Sequence, residues 1–151
     1  MTDETIDYQA FFQPIIRPSW DEYFLNIVTE VSSRSCDANT RVGALITDSK
    51  NRIIGTGYNS FPAGVNDHDI PNYRIPGTTD SPKYLRMIHA EINAVCNLVT
   101  RPDDKLTAYI TISPCQTCLN CLAQIGVKRV VLVNNKYIVW KNECEQFEYH
   151  D

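Results

Sequence analysis

At 151 residues with a formal net charge of −4, the chain is long enough for one domain with its own core but poorly suited to grip a polynucleotide backbone, which needs a basic face. Apolar residues are 43% and charged ones 21%, which excludes a low-complexity chain, and no apolar run approaches the about 20 residues of a membrane span. The opening residues 1–9 are acidic and polar and read as no secretory leader, so the six cysteines are expected to be reduced thiols or metal ligands in a cytoplasmic protein.

Residues 1–17 read as an N-terminal arm whose Phe11, Phe12, Ile15 and Ile16 are expected to pack on the domain itself or, as the alternative, on a neighbouring subunit; residues 18–151 then form a single domain. Ser19 with Glu22 after Pro18 makes a capping box. Trp20, Phe24, Ile27, Val28 and Val31 fall on one face, which predicts a helix over about 19–34. Residues 42–47 read as a strand, 48–51 as a turn and 52–59 as the antiparallel partner. The stretch 61–82 holds four prolines and no period, an irregular loop of a length that usually carries function or disorder.

A helix is predicted over 83–100, with Ile88, Ile92, Val95 and Val99 along one face. Residues 106–112 alternate as a strand that breaks at Ser113-Pro114, and 115–125 form a short helix closed by Gly126. Residues 130–133 read as a buried strand and 137–140 as one more. The order predicts an α/β fold, a mixed central sheet of about five strands flanked by helices, with parallel pairing in the β-α-β unit.

The chemistry concentrates between His89 and Cys118. His89-Ala90-Glu91 is followed, after 22 residues, by Pro114-Cys115-Gln116-Thr117-Cys118. One imidazole and two thiols make a three-ligand zinc site with the fourth position open to water, and Glu91 is a candidate proton carrier. Cys115 and Cys118 fall in the first turn of a predicted helix, whose N-terminus favours the thiolate. A C-x-x-C pair alone also fits a redox couple, and Cys121 with the distant Cys144 leaves an iron–sulfur or four-thiolate cluster open. The ligand count favours Cys121 as a core thiol on the sheet-facing side of its helix. His89 could also be a packed residue opening a helix. Two positions apart on a helix differ by about 200°, so His89 and Glu91 share a site only if the metal sits over the helix end.

H-x-E…P-C-x-x-C is the signature of zinc nucleobase deaminases. Together with Arg34-Ser35-Cys36, Val42-Gly43-Ala44, Arg52-Ile53-Ile54, Gly57-Tyr58-Asn59-Ser60-Phe61-Pro62-Ala63-Gly64 and Gly126-Val127-Lys128-Arg129, it makes the stretch from about 34 to 137 resemble the deoxycytidylate deaminases of the cytidine deaminase superfamily, most closely the phage forms, a cyanophage enzyme among them. The resemblance implies the superfamily's three-layer fold and a zinc ion on His89, Cys115 and Cys118. It implies that a zinc-bound hydroxide attacks C4 of dCMP while Glu91 shuttles protons to N3 and to the departing ammonia, yielding dUMP for thymidylate synthesis. The backbone N–H of Ala90 would hold the base carbonyl, Asn59 the sugar and Arg34 the 5′-phosphate, with Ser113 and Tyr137 beside the substrate.

The same resemblance implies activation by dCTP and inhibition by dTTP, with Mg2+ on the effector's phosphates, at a loop that includes Gly57, Ala63, Gly64 and Asn66. It also implies a homohexamer, in the host cytoplasm for a phage-encoded chain. Cys36 matches one ligand of a second, structural zinc found in some phage relatives, but only His68 accompanies it in the long loop, too few donors for a closed site. Two other functions start from the same motif. A tRNA or single-stranded DNA deaminase is opposed by the negative charge, and a non-catalytic zinc-stabilised nucleotide-sensing module is opposed by Glu91, which a purely structural site does not use.

Overall fold

The first helix starts where its caps dictate. Ser19 Oγ accepts the Glu22 N–H at 3.1 Å and Glu22 accepts the Ser19 N–H at 3.1 Å, closing the capping box of α1 (Trp20–Ser32). The helix stops short of residue 34 because the Ser32 and Ser33 hydroxyls donate to the Thr29 and Glu30 carbonyls, both at 2.6 Å, and compete with further helical bonds. The computed structural model describes residues 4–77, 82–100, 105–134, 137–141 and 146–150, with the last two segments described by their backbone and Ile138.

β1 (Gly43–Thr47) and β2 (Ile53–Tyr58) form the expected antiparallel hairpin, turned at Asn51 in the left-handed region at φ 58°. β3 (Leu106–Ile110) pairs antiparallel with β1 and parallel with β4 (Val127–Leu132), as the β-α-β pattern implies. β4 begins at Val127, ahead of the apolar run, because Lys128 and Arg129 belong to the strand although they break its hydrophobicity. β5 (Tyr137–Lys141) and β6 (Gln146–His150) add an antiparallel hairpin, giving six strands in the order β2-β1-β3-β4-β5-β6. The expected sheet of about five strands lacked β6, whose Phe147 and Tyr149 alternate with polar residues over too few positions to stand out.

Alternation sorts the sheet's side chains into two cores. Leu45, Tyr109 and Val131 meet Phe24, Leu25 and Val28 of α1. Ala44, Ile46, Ala108, Ile110, Val130 and Leu132 face the opposite way, toward α3 (Ala90–Cys96) and α4 (Gln116–Gln124). Helices on both faces complete the three layers. On the α1 side, Arg129 forks onto Asp21 at 2.5 and 3.0 Å and the Tyr109 hydroxyl donates to Asp21 at 2.8 Å. The Arg129 hydrogen bonds hold the Asp21 carboxyl below its usual range. Both partners are more than a third exposed, so solvent screening leaves about 1 kcal/mol to the pair. A lowered carboxylate pKa stabilises the fold above the unfolded value and is lost as pH falls through the folded one. Asp21→Asn is therefore expected to cost about that much at neutral pH, with the difference from the unaltered chain vanishing in acid, measured by urea unfolding across pH.

The predicted helix over 83–100 is split. α2 (Pro82–Arg86) ends where Ile88 leaves the helix to bridge Ser60, its N–H donating to the Ser60 carbonyl at 2.7 Å and its carbonyl accepting the Ser60 N–H at 3.1 Å. The chain restarts at Ala90, and the apolar face expected from Ile88 to Val99 does not form: Ala90 and Ala94 are buried on the sheet while Val99 is exposed. The reason lies in β2. Gly55 and Gly57 let the backbone of α3 lie directly on the strand, and a Cβ at Gly57 would overlap Ala94 N and Ala90 O. Asn93 fastens the same contact by donating to the Tyr58 carbonyl at 2.8 Å and the Ser60 hydroxyl at 3.0 Å. Gly57→Ala is expected to destabilise the fold by about 3 kcal/mol, read as a lower urea midpoint, because backbone on both sides must move.

The arm holds one short 3-10 turn, Tyr8–Phe11, with Asp7 accepting the Gln9 N–H at 3.1 Å. Phe11, Phe12, Ile15 and Ile16 are all exposed, so the expectation that they pack on their own domain is not met. No described helix is long and apolar enough to cross a membrane.

Candidate active site

The break at Ile88 makes His89 the N-cap of α3, and the Ser113-Pro114 break makes Cys115 the N-cap of α4. Both are extended and neither makes a side-chain cap bond, which leaves the imidazole and thiol free to converge. Cys118 follows in the first turn of α4, buried at 1% exposure. The donor atoms of His89, Cys115 and Cys118 all lie within 4.8 Å of one another. His89 Nδ1 is 3.3 Å from Cys118 Sγ and 3.7 Å from Cys115 Sγ. A tetrahedral ion with Zn–N of about 2.0 Å and Zn–S of about 2.3 Å separates such atoms by about 3.6 Å, so the donor set fits zinc through Nδ1. Among the described residues no other three His, Cys, Asp or Glu side chains gather in this way.

Glu91, at 4% exposure, stands beside the Cys118 thiol at the start of α3. Burial first, then the Glu91 charge and Cys115, push the Cys118 thiol up. A cation held among the three donors would favour the thiolate, as would the N-terminus of α4. A cleft of about 300 Å³ opens over the cluster, lined by His89, Ala90, Glu91, Cys115, Ser113 and Asn59.

Asn59 is held from three sides. Its Oδ1 accepts the Val42 N–H at 2.8 Å and its Nδ2 donates to the Thr40 carbonyl at 2.9 Å and Asp37 Oδ2 at 3.3 Å. Among the described residues, one lone pair of Oδ1 remains open. Asp37 gathers the rest of this wall: its Oδ1 accepts the Asn39 N–H at 2.8 Å, the Thr40 N–H at 2.9 Å and Lys83 Nζ at 2.8 Å. Lys83, 3% exposed, also donates to Asn39 Oδ1 at 3.0 Å. Arg74 joins through its backbone N–H to Asn39 Oδ1 at 2.7 Å and its Nε to the Tyr84 hydroxyl at 2.7 Å. The sequence pattern singles out Asn59 but none of Asp37, Asn39, Lys83 and Arg74. Asp37-Ala38-Asn39-Thr40 carries an Asx-turn signal that was readable, whereas a buried lysine at a helix start runs against its usual exposure and Arg74 sits in a stretch without period.

Several expected site residues lie elsewhere. Arg34 lines a second cleft of about 310 Å³, with Cys36, Ser60, Phe61, Ala63 and Gly64, because the turn after α1 carries it toward the loop that follows β2; it is absent from the lining of the His89 cleft. Gly57 lines neither cleft, being buried against α3. Asn66 is exposed outside that lining, its Oδ1 accepting the His68 N–H at 3.0 Å. Cys121 is half-buried with its thiol raised by burial and by neighbouring Cys96, while Leu119 and Leu122 take the sheet-facing positions expected of it. Cys36 lies near Asp67 and the Phe61 backbone, its thiol raised mainly by burial. Tyr137 opens β5 opposite Val131, and its side chain, like Cys144, falls outside the described residues.

Residues 18–134 match the family model described as the cytidine and deoxycytidylate deaminase zinc-binding region. The deoxycytidylate deaminase of Homo sapiens is 36% identical over 118 residues, covering 78% of this chain and 66% of that one. The chain thus spans just under two thirds of the primate relatives it matches. The deoxycytidylate deaminase of Mycobacterium phage D29 is 38% identical over 122 residues, 76% of this chain and 94% of that one. The crystal structure of dCMP deaminase from the cyanophage S-TIM5 in complex with dCMP and dUMP aligns with a TM-score of 0.62 at 26% identity, over 78% of this chain and 83% of that chain.

Proposed function

Because the chain belongs to the cytidine and deoxycytidylate deaminase family, we propose that its cleft hydrolyses dCMP to dUMP and ammonia. The observation that carries this reading is a His/Cys/Cys donor set with a buried carboxylate at its side, on one wall of a substrate-sized cleft. His89 Nδ1, Cys115 Sγ and Cys118 Sγ would hold zinc, which when bound supplies a Lewis acid that brings the pKa of water to about 7. Glu91 takes a proton from the attacking water and passes it to N3 of the cytosine ring. It then takes the remaining proton from the oxygen now bonded to C4 and delivers it to the amine, so that ammonia leaves as the C4–N bond breaks and the C4 carbonyl forms. Ala90, first in α3, has a backbone N–H without an intrahelical acceptor and donates it to the base carbonyl. The open lone pair of Asn59 Oδ1 takes a sugar hydroxyl, and Ser113 and Tyr137 complete the surroundings of the substrate.

A single domain over 18–151 carries this chemistry, as a homohexamer in the cytoplasm where dUMP feeds thymidylate synthesis. The second cleft takes the effectors, dCTP as activator and dTTP as inhibitor with Mg2+ on their phosphates. The support is its lining: Arg34 offers a guanidinium, and Ala63 and Gly64 expose backbone N–H groups, with Gly64 at φ 86° and open space around it.

The deciding experiment compares initial rates on dCMP and deoxycytidine with zinc-loaded protein. Faster turnover of dCMP supports the reading, a preference for deoxycytidine moves the chain to the nucleoside deaminases, and no turnover of either removes it. Rates at low dCMP that ignore added dCTP and dTTP would remove the effector assignment alone.

A further inference from the structure

We infer that Arg74 reads the 5′-phosphate of the substrate and sets the preference for nucleotide over nucleoside. The inference rests on the deaminase reading of the cleft and fills the place that Arg34, facing the other cleft, leaves open.

The charged side chains lining the His89 cleft, among the described residues, are Asp37, Glu91, Lys83 and Arg74. Lys83 is neutralised at 2.8 Å by Asp37 and spends a second donor on Asn39. Glu91 is a carboxyl group and offers no cation to a phosphate monoester carrying about −1.5 to −2 charges. Arg74 is then the cation of this lining that no described carboxylate pairs, and without it the cleft would disfavour the very substrate it is assigned. Its mounting suits the task. The Asn39 amide oxygen holds its backbone and the Tyr84 hydroxyl takes its Nε–H. Those bonds fix the stem and plane of the guanidinium while both Nη groups make no hydrogen bond within the described chain. A planar fork presented this way matches two phosphate oxygens.

Lys83 has a different part. With Asp37 it is buried under Asn39, so the pair fixes the amide that in turn holds Arg74. Tyr84 and Asn39 are positioning residues, and of the three only Arg74 touches the phosphate.

The test measures kcat/KM on dCMP and deoxycytidine for the unaltered chain, Arg74→Gln, Tyr84→Phe and Arg34→Gln, with dUMP and deoxyuridine binding to each followed by isothermal titration. Arg74→Gln is expected to lower the dCMP-to-deoxycytidine ratio by about 10- to 100-fold, the worth of hydrogen bonds to a charged group, and to weaken dUMP but not deoxyuridine. Tyr84→Phe is expected to raise KM for dCMP with kcat kept, since it loosens the fork without removing it. An unchanged ratio and unchanged dUMP affinity in Arg74→Gln overturn the inference, as does a ratio that collapses in Arg34→Gln alone. Binding of dUMP through Arg74 by a chain that turns over neither substrate would uphold the inference and remove the deaminase reading.

Discussion

Glu91→Gln is expected to lower kcat on dCMP by about 10³-fold while zinc stays bound at the level of the unaltered chain. The two side chains have nearly the same shape, so a site this enclosed need not repack around the amide. What disappears is a group that can accept a proton from water and give it up again to the ring. The Glu91 charge is one of the causes that push the Cys118 thiol up, so removing it does not weaken the thiolate that a metal needs. Metal analysis of the purified variant alongside its kinetics separates the possibilities. Retained turnover would take the proton-carrier role away from Glu91, and lost zinc would make the carboxylate part of the scaffold.

Cys118→Ala is expected to have the second large effect, loss of both stoichiometric zinc and detectable deamination. The thiol is the buried corner of the donor triangle, 3.3 Å from His89 Nδ1, and alanine leaves two donors where a catalytic ion needs three. Because a bound metal stabilises only the folded chain, the melting temperature of the variant should stop responding to added zinc, whereas that of the unaltered chain should rise with it. Full zinc content in Cys118→Ala would show that another donor completes the site, with Cys121, one turn further along α4, the first to examine.

The site was more legible in the sequence than the cleft around it. His89, Glu91, Cys115 and Cys118 are few, chemically distinctive and tied to helix starts, so they could be matched to the zinc deaminase signature, and the family resemblance supplied the ligand set that the residues alone left open. The α1 cap and the β1–β2 hairpin were readable for the same reason, since their signals are local. The split between α2 and α3 was not, because it is imposed by backbone pairing of Ile88 with Ser60, 28 positions away in sequence. Arg34 lines the second cleft because, although its chemistry suits phosphate, its position follows from where α1 ends. Asp37, Lys83 and Arg74 gain their meaning only from one another, through bonds that link a turn, a long loop and a short helix.

His89 and Cys115 sit at two N-cap positions where serine, aspartate or asparagine would ordinarily satisfy the first turn, and neither side chain does so. At about 1 kcal/mol per cap, the metal-free domain forgoes roughly 2 kcal/mol of routine helix stabilisation. Selection for robustness and selection for turnover therefore pull these two positions in opposite directions. A library screened for heat resistance in the presence of a chelator would enrich Cys115→Ser and His89→Asn, sturdier chains with no activity. The same library screened with zinc would reject them, because the ion that His89, Cys115 and Cys118 would hold stabilises only the folded chain.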